Sequence, residues 1–209
     1  IAATKANIAE QLDELDGFGV TDILALRGDP PADQPDFKPP ADGFHLAKEL
    51  IAFIKQRKPA FHLGAAGFPE KHPKSPSMEK DIEYLKQKVD AGAEYVISQL
   101  FFDNRHFFDF IERCNKVGIK VPIIPGIMPI SSFRQLKKMT DICGATIPHK
   151  LLSALEKAGD DKAAVRRIGV EQAVKQCLEL KKAKVPGIHF FVMNQAEPVA
   201  EILRTILKS

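Results

Sequence analysis

Arg27-Gly28-Asp29 is the first stretch of the chain with the makings of a binding site. Opposite charges around a glycine, at the end of an apolar run, suit a site that holds an anion and polarises a neighbouring polar group. The plainer alternative is a tight turn whose Arg and Asp pair together or face solvent. Similar clusters recur downstream. Phe68 to His72 sets an aromatic ring, a carboxylate and an imidazole just past a run of small residues, Gln99 closes a third apolar stretch, and Pro125-Gly126 and Asn194-Gln195 mark two more. No nucleophile sits beside a base, and no H-E-x-x-H, Cys/His cluster or close carboxylate pair indicates a metal or glycosidase site. Such groups grip a large conjugated ligand by its edges better than they attack it, which favours cofactor chemistry over covalent catalysis.

The elements that must position these residues alternate. Helical spacing marks 4–15, a helix holding Leu46, Leu50, Phe53 and Ile54, one capped by Ser77, one carrying Phe107, Phe108, Ile111 and Cys114, and one begun by Ser131 or Ser132. A shorter helix over 147–158, a long one over 163–183 and a terminal one with Val199, Ile202 and Ile206 complete the set. Between them lie five apolar runs: 23–26, expected to be a strand buried on both faces and stopped by Pro30-Pro31; 61–67; 95–99; 121–127, broken by Pro125-Gly126; and 187–193. A loop rich in Pro, Asp and Gly spans 30–43. Strict alternation implies a parallel sheet with right-handed crossovers. Either an open doubly wound sheet or a (β/α)8 barrel satisfies it. The absence of G-x-G-x-x-G and G-x-x-x-x-G-K-[ST] lowers the odds of a nucleotide fold. Five strands in 209 residues would be a barrel lacking its first three, in keeping with a start at Ile1 rather than Met.

Composition bounds the rest. A 44% hydrophobic content supports one domain, 1–209, with one sizeable core. Thirty basic and 27 acidic residues are spread evenly, so no basic arm for nucleic acid emerges. No apolar stretch is long enough to span a membrane and no secretory leader is visible. Cys114, Cys143 and Cys177 are scattered and odd in number, which reads as buried thiols in a reducing, cytoplasmic setting.

Several ordered motifs carry a family resemblance: Ala25-Leu26-Arg27-Gly28-Asp29-Pro30, Gly67-Phe68-Pro69-Glu70-Lys71-His72-Pro73, Lys88-Val89-Asp90-Ala91-Gly92-Ala93, Gln99-Leu100-Phe101-Phe102, Ile124-Pro125-Gly126-Ile127-Met128-Pro129 and His189-Phe190-Phe191-Val192-Met193-Asn194. Together they resemble methylenetetrahydrofolate reductase, a flavin barrel of one-carbon metabolism and methionine biosynthesis, across essentially the whole chain. The resemblance implies FAD at the C-terminal ends of the strands. NADH or NADPH would reduce the flavin, which would pass a hydride to 5,10-methylenetetrahydrofolate to give 5-methyltetrahydrofolate. Relatives form dimers or tetramers, so a homo-oligomer is expected.

By motif position, Arg27, Gly28, Asp29, Ala47, Phe68, His72, Asp81, Tyr84 and Lys88 would bind the flavin. Gln99, Gln135 and Gln195 would bind the substrate. Asp29 would also be catalytic, facing flavin and pterin and favouring the cationic iminium of the opened folate ring. Phe68 stands where a tyrosine is usual, keeping a stacking face without the hydroxyl. Asp81, Tyr84 and Lys88 share a helix face by spacing, which without the family would read as a solvated face. Phe101-Phe102 and Phe107-Phe108 read as core. Two departures matter: Gln195 replaces a common arginine, and the family's general acid, a glutamate on its first strand, is not in this sequence. Without that acid this stretch alone would be inactive. The competing readings are a shortened paralogue serving as a flavin- or folate-binding or interaction module, and a flavin or phosphosugar barrel sharing only architecture. No 2′-phosphate motif separates NADH from NADPH, and no regulatory segment follows Ser209.

Overall fold

The computed structural model describes residues 2–30 and 36–208. Pro31 of the expected proline stop, and the loop through Pro35, lie outside the described residues. Five strands, β1 (Asp22–Leu24), β2 (His62–Gly67), β3 (Tyr95–Leu100), β4 (Ile123–Ile127) and β5 (His189–Phe190), alternate with helices. These are α1 (Lys5–Gly17), α2 (Ala47–Arg57), α3 (Met78–Asp90), α4 (Asn104–Lys116), α5 (Phe133–Cys143), α6 (His149–Ala158), α7 (Lys162–Lys182) and α8 (Ala196–Ile206). Every strand pair is parallel and the spatial order is β1-β2-β3-β4-β5, the order of the chain. A doubly wound sheet reverses its order at a switch point, whereas a barrel winds steadily in one direction. Burial agrees: along β3, Val96, Ser98 and Leu100 are buried while Tyr95, Ile97 and Gln99 on the other face stay half-exposed. Helices therefore cover one face of the sheet, and the architecture is a half-barrel with an open concave side.

The termini of the helices follow from local chemistry. Ser77 Oγ accepts from Lys80 N at the start of α3, Ser132 Oγ from Gln135 N at α5, and Thr4 with Asn7 closes a capping box at α1. Beneath the helices, Leu63, Ala65, Val96, Phe107, Phe110, Cys114 and Cys177 form the main cluster; Leu100, Phe102, Met128, Leu136 and Leu155 form a second near the strand ends. Phe101, Phe102 and Phe107 are core as expected, Phe108 is half-buried, and all three cysteines are buried and unbridged.

Three expectations change. The run 23–26 is not buried on both faces: among the described residues β1 pairs with β2 alone, Ile23 and Leu24 are half-buried, and Leu26 is exposed. Only a central strand would have neighbours and layers enough to bury such a run. Pro125 does not break the fourth strand. It lies inside β4, where the sheet absorbs its missing donor by a register shift between Ile97 and Leu100, and Ser98 Oγ accepts the Gly126 N–H at 2.9 Å. The fifth strand shrinks to His189–Phe190, because Met193 and Asn194 take left-handed backbone (φ 50° and 60°) and turn the chain toward α8.

Candidate functional site

The loops leaving β1, β2 and β3 at their C-terminal ends converge. After β1, the Ala25 N–H still pairs with Gly64 O; then Gly28, at φ 77°, turns the chain in a conformation that side-chain-bearing residues resist. Arg27 Nε donates to Gly28 O, and its guanidinium lies 3.9 Å from the Asp29 carboxylate. The two charges pair loosely, as the plain turn reading anticipated, but Asp29 stays 83% exposed and open to a ligand. Both charges act on His72 across the gap to the β2 loop.

That loop is built around His72. Phe68 meets its imidazole edge-on with centroids 4.6 Å apart. The His72 backbone N–H donates to Asp81 on α3 at 3.1 Å, and Nδ1 accepts from Lys74 N at 3.0 Å. A ring nitrogen that accepts from a backbone amide carries no proton, so Nε2 is the donor left for a ligand. Burial pushes the His72 pKa down, with the Asp81 carboxylate pulling the other way. Lys71, at φ 74°, donates from Nζ to Ser75 O and His72 O.

Asp81 and Lys88 lie under this loop on α3. The Lys88 ammonium donates to Ala66 O, and burial pushes its pKa from 10.5 down to about 8, partly offset by Asp81. Burial raises the Asp81 pKa, opposed first by the His72 N–H and then by Lys88. The half-buried Lys88 ammonium can attract an anionic ligand with reduced solvent screening, opposed by the neighbouring Asp81 carboxylate. Gln99, at the end of β3, borders the same loop: it lines one crevice with Phe68, Glu70, Lys71 and Cys143. Its Oε1 accepts from Leu100 N at 2.9 Å, which leaves Nε2 as the donor of this side chain.

The structure thus gathers Arg27, Gly28, Asp29, Phe68, His72, Asp81, Lys88 and Gln99 at one end of the sheet. Among the described residues, no hydrogen bond, ion pair or ring contact joins Ala47, Tyr84, Gln135 or Gln195 to them. Ala47 begins α2; Tyr84 is exposed with the Lys80 ammonium 5.4 Å over its ring; Gln135 opens α5; Gln195 is exposed at the start of α8.

Three residues that sequence reasoning passed over hold the β3 end in place. Gln172 Nε2 donates to Phe102 O at 2.8 Å and Gln176 Nε2 to Phe101 O at 3.0 Å, while Asn104 Nδ2 donates to Gln176 O at 3.1 Å. Two glutamines one helical turn apart on α7 therefore take the two carbonyls just beyond Gln99 and Leu100. The only signal in the sequence was polar residues interrupting the apolar side of a long helix.

Comparison with known proteins matches this arrangement to a family. The family model described as methylenetetrahydrofolate reductase matches residues 1–207. The chain is 34% identical over 95% of its length to a probable methylenetetrahydrofolate reductase (NADH) of Oryza sativa subsp. japonica, covering 35% of that protein. It is 37% identical over 97% of its length to a probable methylenetetrahydrofolate reductase (NADPH) of Caenorhabditis elegans, covering 30% of it. With 5,10-methylenetetrahydrofolate reductase of Escherichia coli (strain K12) the figures are 35% identity, 90% of this chain and 61% of that one. The chain thus spans about a third of the eukaryotic relatives and under two thirds of the bacterial one. A solved protein of Clostridium thermocellum, described as binding two copies of 5-methyl-5,6,7,8-tetrahydrofolic acid, shares the fold: TM-score 0.63 over 99% of this chain and 70% of that one, at 18% identity. The motifs at the strand ends and a family match running almost from end to end establish that this chain belongs to the methylenetetrahydrofolate reductase family.

Proposed function

We propose that the protein containing this chain reduces 5,10-methylenetetrahydrofolate to 5-methyltetrahydrofolate with NADH or NADPH, through FAD held at the C-terminal ends of these strands. The observation that carries the reading is the convergence of Asp29 after β1, His72 after β2, Asp81 and Lys88 on α3 and Gln99 in β3 on one end of a one-sided parallel sheet. The donor set suits a flavin dinucleotide. Lys88, Lys71, Arg27 and the His72 Nε2 side supply positive charge and N–H groups for a diphosphate, and the Phe68 ring supplies a flat apolar face. Among the residues not gathered there, Ala47 and Tyr84 would reach the adenosine side, and Gln135 and Gln195 the folate.

When bound, the flavin supplies hydride chemistry that no side chain here can. The chain's own residues bind and orient. Asp29 places a negative charge where the cationic iminium of the folate develops, and Gln99 Nε2 donates to a carbonyl or ring nitrogen on the substrate edge. Lys88 and His72 hold the anionic end, and burial beneath the loop keeps water from screening them.

The same reading gives the open concave face a partner. Three further strands, one bearing the glutamate that protonates the folate, would close the sheet into a (β/α)8 barrel over Tyr95, Ile97 and Ile124, making 1–209 part of one domain. A homo-oligomer in the cytoplasm, where buried free thiols stay reduced, completes it. The test is an anaerobic flavin half-reaction on the full-length protein. NADH or NADPH should bleach the flavin band and 5,10-methylenetetrahydrofolate should restore it. Bleaching without recovery refutes the folate assignment, and a colourless protein that takes up no FAD refutes the flavin.

A further inference from the structure

Glu70 takes no part in the roles above, yet its position is unusual. It stands between Phe68 and His72 in the β2–α3 loop, with a side chain only 9% exposed. One carboxylate oxygen, Oε2, accepts from the Thr146 backbone N–H at 3.0 Å and from the Thr146 hydroxyl, with His106 Nε2 3.5 Å away. The other, Oε1, is buried with no hydrogen-bond partner among the described residues. Thr146 belongs to the linker between α5 and α6, 76 residues along the chain. That linker already leans on the loop: a Cβ placed on Gly144 would come within 3.2 Å of the Pro73 ring.

We propose that Glu70 is a positioning residue: its carboxylate latches the loop carrying Phe68 and His72 onto the α5–α6 linker, and so fixes the mouth of the candidate site. This rests on the flavin reading for its functional consequence. The loop from 68 to 75 has no ladder of its own and bends through a non-glycine left-handed residue, Lys71, a conformation that needs outside support to persist. Its internal bonds, Lys71 N to Phe68 O and Ser75 N to His72 O, fold it upon itself without fixing where it sits. Side-chain contacts do that: His72 N to Asp81 on α3, and Glu70 to Thr146 in the α5–α6 linker, with His106 of α4 beside it. A charge-assisted bond shielded from water is strong enough to decide such a position. A ligand that binds only the latched loop loses affinity in proportion to the fraction latched.

The unpaired Oε1 makes the proposal sharp. Glu70→Gln keeps an acceptor for Thr146 and removes a buried charge that only one oxygen satisfies, so it should behave like the wild type. Glu70→Ala removes the latch. Expected results for Glu70→Ala are a fall in FAD affinity of about 10-fold or more by flavin fluorescence, with amide hydrogen exchange over 68–75 in the flavin-free protein faster by a similar factor. Glu70→Gln should stay within about twofold of wild type in both. Thr146→Val, which keeps the N–H and loses the hydroxyl, should fall between them and serves if Glu70→Ala does not fold. Unchanged exchange and affinity in Glu70→Ala overturn the latch. A Glu70→Gln variant as impaired as Glu70→Ala also overturns it, since the charge, whether paired with His106 or acting on the ligand, and not the bond to Thr146, would then be decisive. Failure of the wild type to take FAD refutes the flavin reading alone, because the exchange measurement still decides the latch.

Discussion

Raising the pH should release the anionic end of the ligand through Lys88. Burial holds the Lys88 ammonium at a pKa of about 8, so it is charged at neutrality but loses its proton in mild alkali, whereas an exposed lysine would keep it. The fraction protonated falls about 30-fold between about pH 7 and about pH 9.5 for a pKa near 8, and hardly at all for one at 10.5. If the ammonium holds the flavin diphosphate, FAD affinity should fall by up to about 30-fold over that interval. Other groups around Lys88 stay silent there. Burial moves His72 downward, away from this range, and pushes the Cys114 thiol up to about 12, beyond it. The assay is FAD titration by fluorescence quenching from neutral pH upward, with Lys88→Met as the control that should bind weakly and without this pH dependence. A wild-type affinity flat through the interval refutes the reasoning. The linkage to folding has the opposite sign. Between about 8 and 10.5 the unfolded chain keeps a proton that the flavin-free folded protein has shed, so this lysine makes stability rise with pH. The contribution is about 3 kcal/mol across that window, read from chemical denaturation of wild type against Lys88→Met.

Four further substitutions test the site and the packing that supports it. Asp29→Asn should leave FAD affinity nearly unchanged and slow flavin reoxidation by methylenetetrahydrofolate by about one to two orders of magnitude in stopped flow; an unchanged rate removes Asp29 from the chemistry. Gln176→Leu leaves the Phe101 carbonyl and the Asn104 Oδ1 without the Gln176 amide donor, while Asn104 Nδ2 keeps its acceptors, and should cost about 1–3 kcal/mol in denaturant unfolding while raising the folate KM through Gln99. Gly169→Ala places a Cβ 2.1 Å from Ile130 O where α7 crosses the β4 end, and should lower stability by about 1–3 kcal/mol, whereas Gly17→Ala, with open space around it, should be neutral or slightly stabilising.

The element order was legible because each helix declares itself through local signals. Ser77 caps α3, Ser132 caps α5, and Gly92 and Gly118 take positive φ just beyond α3 and α4. These depend on neighbours a few residues away, which a single sequence contains. Strand limits were less legible because a strand exists only where a partner strand does. The run at 23–26 looked like a central strand and the run at 187–193 looked longer than two residues, but among the described residues each has a single neighbouring strand. Likewise the polar face of α3 gave no sign that Tyr84 would point to solvent while Lys88 would be drawn beneath the β2 loop.

The sequence by itself determined the alternation of strands and helices, the polar groups clustered near the strand ends, and, through its ordered motifs, the family. Those properties are local or combinatorial, set by side-chain type and spacing along one dimension. Only the tertiary structure decided which strand ends meet, that Lys88 is drawn half-buried against Ala66 O with its basicity lowered, that Gln172 and Gln176 brace the β3 end, and that Glu70 ties two loops 76 residues apart. Each of these depends on desolvation or on a hydrogen-bond partner distant in the chain, and neither exists until the helices have packed against the sheet.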